Sequence, residues 1–221
     1  MTVFDIMGPV MIGPSSSHTA GAARLGRIAR RLLGCRPARA RILLHGSFAA
    51  TGVGHGTDKA LVAGLLDMAP DDPRLPSAFP IAQEEGMEVS VGSVSLQGAH
   101  PNTVLLQLTA PDGTGLEVRG ASLGGGRVRI EAIDGLGAAF SGDMPTLIVR
   151  NEDKPGQVAE VTGLLGRKGV NIATMQLYRN MRGGLAVMVI ESDQPIDASA
   201  VASLRALEGI VSVTYLNMTE E

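Results

Sequence analysis

Tryptophan is absent from the 221 residues, tyrosine occurs twice and phenylalanine four times. So few rings leave stacking on nucleic-acid bases poorly supplied, and a core must be built from Val, Ile, Leu, Met and Ala. Cysteine occurs once, at Cys35. No internal disulfide is therefore available, and there is no local cysteine motif for zinc or an iron-sulfur cluster. No window approaches the roughly 18 apolar residues of a membrane span. The start, "MTVFDIMGPVMIGP", has no positive segment ahead of a long apolar block, and the expectation is a cytoplasmic protein. An excess of one charge is missing too. The net charge of -3, with acidic and basic residues interspersed, leaves no extended basic face for a phosphate backbone. The arginines between Arg24 and Arg41 fall mostly on one helix face, which reads as a solvated surface or, second, as one for an anionic ligand or acidic partner.

What is present is the balance of an ordinary globular chain, 44% hydrophobic and 19% charged, long enough for two small domains. Glycine and proline punctuate the first 140 residues, and the composition changes at "FSGDMP", residues 140–145. Domains over 1–142 and 146–221 follow. In the first, "AGAARLGRIARRLLG" spaces Leu25, Ile28, Ala29, Leu32 and Leu33 as an amphipathic helix ending near Gly34. "ARILLHGS" reads as a buried strand and "GTDKALVAGLLDM" as a second helix. "TVLLQLTAPDGTGLEVRGAS" reads as a hairpin and "GGGRVRIEAIDG" as a further strand. This is a mixed α/β unit. In the second domain, strands at 146–150, 170–178, 184–191 and 210–217 alternate with helices at 156–168 and 197–206, the βαββαβ order of a ferredoxin-like fold. The fold class is α+β.

Four motifs carry candidate chemistry. "GPSSSHTAGAARLG" places Ser15, Ser16, Ser17, His18 and Thr19 before a helix whose cap needs one of them, Thr19 or Ser17. The remaining polar groups, beside the positive end of a helix, suit a small carboxylate or other oxyanion, and His18 suits a general base or an orienting donor. "HGSFAATGVGHGTDKALVAGLL" reads as a flexible glycine loop with His55 and Asp58 before the next helix. It ends neither as a phosphate-binding loop nor as a dinucleotide fingerprint, and Thr57 or Asp58 equally suits a cap. "HPNT" around His100 reads as a turn before a strand, and "SLGGG" as a bulge or a close ligand approach. A metal site built from His18, His45, His55 and His100 lacks short ligand spacing on one element.

"NEDKPGQVAEVTGLLGRKGVNIATM" resembles an ACT domain, a module that binds amino acids and similar effectors, commonly where two copies pair. On that resemblance Asn151, Asp153, Pro155, Gly156, Asn171 and Ile172 are the effector-binding positions, Gly156 opening a helix whose N–H groups favour an anion. The bland reading is a turn followed by a helix start. The four motifs, in order before an ACT domain, closely resemble the beta chains of bacterial iron-sulfur-dependent L-serine dehydratases. The N-terminal domain of that family is similar in fold to the allosteric substrate-binding domain of phosphoglycerate dehydrogenase, so a regulatory amino-acid-binding module is the alternative. The resemblance implies conversion of L-serine to pyruvate and ammonia with a separate cysteine-rich alpha subunit that holds a four-iron four-sulfur cluster. It implies no metal ligand in this chain and self-pairing through the ACT domain. Joined to the physical reading, it makes His18 and His55 the proton-transfer candidates and Ser15, Ser16, Ser17, Thr19 and Asp58 the substrate-binding candidates.

Overall fold

The computed structural model describes residues 10–218, and the chain divides into two compact units, 1–134 and 135–221. In the first, Ser15 caps a single π-helical turn, Ser16–Ala20, that runs directly into α1 (Gly21–Leu33). Beyond α1 come β1 (Arg39–Leu44), α2 (Gly46–His55), α3 (Thr57–Leu65), α4 (Ala78–Glu84), β2 (Glu88–Ser93), β3 (Thr103–Thr109), β4 (Gly115–Gly124) and β5 (Arg127–Ile133). The strands of this unit run in the order β2-β1-β3-β4-β5. Only β1 and β2 are parallel among them. α1 buries Leu25, Ile28, Ala29 and Leu32 and lies on β4, where Gly120 leaves room for Leu25; a Cβ there would stand 2.7 Å from Leu25 Cδ2.

Two glycines let α1 and α3 meet at backbone distance. A Cβ on Gly64 would overlap the Ala23 carbonyl oxygen, and one on Gly26 the Leu61 carbonyl oxygen. α1 ends at Gly34 in the left-handed region, φ 82°, whose N–H reaches the Arg30 and Arg31 carbonyls. Its arginines are not the solvated stripe that the sequence suggests. Arg27 and Arg31 both donate to Asp67, and Arg30 donates to the Leu65 carbonyl at 3.0 Å. Their charge therefore answers the carbonyl end of α3.

Two further expectations change here. "GSFAATGVGH" is helix α2, not a flexible loop, because Gly52 is buried against Leu44 and Thr57 and the alanines favour the turn. The cap of α3 is Gly56 in the left-handed region, φ 68°, rather than Thr57 or Asp58.

The second unit opens with β6 (Leu136–Phe140) and continues β7 (Thr146–Glu152), α5 (Gln157–Arg167), β8 (Ile172–Arg179), β9 (Leu185–Ser192), α6 (Ala198–Arg205) and β10 (Ile210–Leu216). The sheet order β10-β7-β9-β8, with every pair antiparallel, is the split βαββαβ arrangement. Leu147, Val149, Leu165, Met188, Ile190 and Leu204 fill its core. Asp197 caps α6 by accepting from Ala200 N–H at 2.7 Å. Gln176 Nε2 ties β8 to β6 through the Ala139 carbonyl at 3.0 Å.

Candidate active site

The polar residues of the first unit gather where β1 ends and α2 begins. Gly46 takes φ 56° at that junction, and a Cβ on it would stand 2.6 Å from the Pro101 carbonyl oxygen. That carbonyl accepts from Ser47 N–H at 2.7 Å and so caps α2. The "HPNT" turn thus does structural work: His100 Nδ1 accepts from Asn102 N–H at 3.1 Å, and the Asn102 carbonyl accepts from Ser122 N–H at 3.0 Å.

His18 sits at the centre of the cluster, 9% exposed. Its Nδ1 faces Ser17 Oγ at 3.1 Å and Ser15 Oγ at 3.4 Å; its Nε2 faces Thr51 Oγ1 at 3.1 Å and Ser47 Oγ at 3.3 Å. Its ring meets Phe48 edge-on at 5.2 Å and His55 at 5.0 Å. Burial, and next the charge of His55, push His18 below its ordinary pKa of 6.5 against a raising hydrogen bond to the Ser47 backbone. The neutral form of His18 is thereby favoured.

The helix cap is Ser15, not Thr19 or Ser17: its side chain accepts from His18 N–H at 3.2 Å, because the π turn begins ahead of Ala20. Ser16 Oγ accepts from Gly125 N–H at 3.2 Å, which joins the "SLGGG" turn to the serine loop. That turn combines both sequence readings, a register shift between Ser122 and Gly124 and three successive glycines with positive φ. Thr19 lies beneath the loop, 1% exposed, its hydroxyl without a partner, and a Cβ on Gly13 would overlap it. His55 is exposed at the end of α2, and its Nδ1 donates to the Thr51 carbonyl at 3.1 Å. Asp58 stays within α3, accepting from Lys59 N–H at 2.8 Å.

Ser47, Phe48 and Thr51 escape the sequence reading. The signal is the spacing of Ser47, Thr51 and His55, each four residues from the next, which shares a face only if the glycine-rich stretch is helical.

In the second unit, Asn151 is 2% exposed and donates to the Glu152 carbonyl at 2.6 Å, its Oδ1 unpartnered. Asp153 accepts from Gly183 N–H at 2.9 Å and Arg179 at 3.2 Å, which hold its carboxyl below the usual range, the Gly183 bond foremost. Pro155 and Gly156, φ 95°, turn the chain into α5. Asn171 donates to the Asp193 carboxylate, and Ile172 begins β8 against the core. Among the described residues no three His, Cys, Asp or Glu side chains are placed to hold a metal ion, and no helix is long and apolar enough to cross a membrane.

Comparison with known proteins covers both units. Residues 2–84 match the family "Serine dehydratase beta chain" and residues 145–209 the ACT domain. The chain is 43% identical over 215 residues to the probable L-serine dehydratase beta chain of Bacillus subtilis, covering 97% of each. It is 33% identical over 218 residues to the L-serine dehydratase beta chain of Peptoniphilus asaccharolyticus, covering 98% of each. Similarity at 28% identity extends to D-3-phosphoglycerate dehydrogenase of Archaeoglobus fulgidus, over 89% of this chain and 37% of that enzyme. End-to-end identity at this level, with the hydroxyl-lined histidine cluster lying in the first unit and an ACT domain following, places the chain in the serine dehydratase beta-chain family.

Proposed function

We propose that the chain is the beta subunit of an L-serine ammonia-lyase and that the His18 cluster is its contribution to the site where L-serine becomes pyruvate and ammonia. One observation carries this reading: Ser15, Ser17, Ser47 and Thr51, from two separate segments, converge on one neutral buried imidazole beside a second, exposed one. The hydroxyls of Ser15, Ser16 and Ser17, with Asp58 on the neighbouring helix, hold the substrate carboxylate and ammonium, and Thr19 supports the loop from beneath. His18 and His55 handle the proton that leaves the α-carbon as the hydroxyl departs as water; the resulting enamine hydrolyses to pyruvate and ammonia.

The four-iron four-sulfur cluster expected of the family takes four thiolates. Cys35, the single cysteine, is exposed, so the residues of this chain do not fit the cluster. Its ligands belong to a cysteine-rich alpha subunit in the same cytoplasmic complex, and no step assigned to this chain runs through it. Residues 1–142 face that subunit, and residues 146–221 act as the ACT domain. There, Asn151, Asp153, Pro155, Gly156, Asn171 and Ile172 receive an amino-acid effector, and two copies pair.

Anaerobic recovery of the tagged chain from its own cells tests this. A brown, iron-containing complex with a cysteine-rich partner that forms pyruvate from serine is expected; a colourless chain alone, or one bound to an unrelated enzyme, overturns it. Similarity to the dehydrogenase over 89% of the chain favours a second reading, a regulatory module that contributes no catalytic group. Under that reading His18 variants change affinity or cooperativity while turnover at saturating serine is preserved.

A further inference from the structure

The cluster has a direction. Thr51 Oγ1 donates to the Ser47 carbonyl at 2.9 Å, which uses its one proton. Its contact with His18 Nε2 at 3.1 Å must then be donated by the imidazole. With the proton on Nε2, the neutral ring presents the lone pair of Nδ1, and Ser17 Oγ at 3.1 Å donates to it. Ser15 Oγ, which accepts from His18 N–H, donates to Ser17 Oγ at 3.2 Å. The hydrogen bonds run one way, from Ser15 through Ser17, His18 and Thr51 to the Ser47 carbonyl.

The same residue fixes the second ring in the opposite sense. A carbonyl only accepts, so His55 Nδ1, 3.1 Å from the Thr51 carbonyl, carries its proton, and Nε2 is the basic nitrogen of the exposed imidazole.

We propose that Thr51 is the positioning residue of this site: its side chain fixes His18 with Nδ1 basic toward Ser17, and its carbonyl fixes His55 with Nε2 basic toward solvent. Resting on the lyase reading above, this divides the labour. His55 meets a ligand directly, whereas His18 exchanges a proton with a ligand through its nearer hydroxyl, Ser17, which passes its own proton to Nδ1 as it takes one up on Oγ.

The test is a long-range nitrogen–proton spectrum of the full chain labelled with 15N-histidine near pH 7.5, each ring assigned by single substitution. A pyrrole-type Nε2 with a pyridine-type Nδ1 is expected for His18, and the reverse for His55. Thr51→Val should mix the His18 tautomers while leaving His55 unchanged, because the carbonyl remains, and Thr51→Ser should restore the original pattern. A wild-type His18 protonated at Nδ1, or a Thr51→Val spectrum unchanged at His18, overturns the assignment. In the active complex Thr51→Val should lower kcat about 10- to 100-fold, less than the roughly 10⁴ of a wholly inverted tautomer, with KM little changed and recovery in Thr51→Ser. Unchanged kcat removes the positioning role. The spectrum needs no turnover, so a complex that makes no pyruvate counts against the lyase reading and leaves the tautomer result to stand or fall by itself.

Discussion

The two units bury polar atoms and helix contacts in different ways. In the first, the hydroxyls of Thr19, Thr57, Thr103 and Ser122 are at most 1% exposed and have no hydrogen-bond partner, and α1 and α3 touch through Gly26 and Gly64. Each unsatisfied hydroxyl costs about 1–3 kcal/mol. In the second, leucine, valine, isoleucine and methionine fill the space between sheet and helices, and Gly166 of α5 has nothing within 4 Å of a would-be Cβ. There the Asp153 carboxylate is met by Gly183 and Arg179 of the β8–β9 hairpin, and the amide oxygens of Asn151 and Gln157 are buried and unsatisfied. The first unit joins its helices at close tolerance; the second leaves room around α5, and its candidate ligand loop is satisfied at Asp153 but not at the buried Asn151 Oδ1. On the lyase reading proposed above, the chemistry lies with the histidine cluster of the first unit, and the second is left to sensing or pairing.

The contrast is broken most sharply by asparagine at matched sites. His18→Asn in the complex should reduce turnover at saturating serine by about 10²–10⁴, the range of a lost general acid or base, while Asp153→Asn should leave that turnover within twofold. Equal effects would erase the distinction. Next comes alanine at two helical glycines. Gly64→Ala drives a methyl into the Ala23 carbonyl and should destabilise the first unit by about 3 kcal/mol in urea unfolding. Gly166→Ala, in open space, should stabilise by about 0.4–1 kcal/mol.

Acid offers a smaller test. The pKa of His18 is lower folded than unfolded, so the unfolded chain binds more protons. Its contribution is then complete above pH 6.5 and is lost as pH falls through the folded value. Facing it are His55, Phe48 and the hydroxyls of Ser15, Ser17, Ser47 and Thr51. The melting temperature should drop more steeply between pH 7 and 5.5 in wild type than in His18→Gln. Smallest of all, Asp153→Asn should leave the urea unfolding midpoint almost unchanged, since Arg179 is more than half exposed and water screens the pair.

Periodicity made the βαββαβ part of the second unit legible: each of those six elements lies within two residues of the spacing-based expectation, because apolar alternation and the Asp197 cap agree with the packing, whereas β6 ahead of them was not expected. α1, α3 and the β3–β4 hairpin were readable for the same reason. α2 was not, since Gly52 and Gly54 outweigh its alanines in any local propensity, and only burial against Leu44 and the Pro101 cap make it helical. With α2 went Ser47 and Thr51. The arginines of α1 misled because their partner, Asp67, is 36 to 40 residues away in sequence. His18 and the serine loop stood out as a polar cluster ahead of a helix start, but their order of donors and acceptors depends on a neighbouring helix that the sequence hides.

The π turn at Ser16–Ala20, where Gly21 N–H reaches back five residues to the Ser16 carbonyl, bears on how this chain can drift. It carries one residue beyond what an α-helix would use there. Deleting any residue between Ser15 and Ala20 would return the segment to ordinary phase and swing everything ahead of it by about 100° around α1. A substitution in the loop removes one contact, whereas a deletion misdirects all of them together. The spacing from Ser15 to Gly21 should therefore admit no gaps in functional descendants, even where individual serines are exchanged.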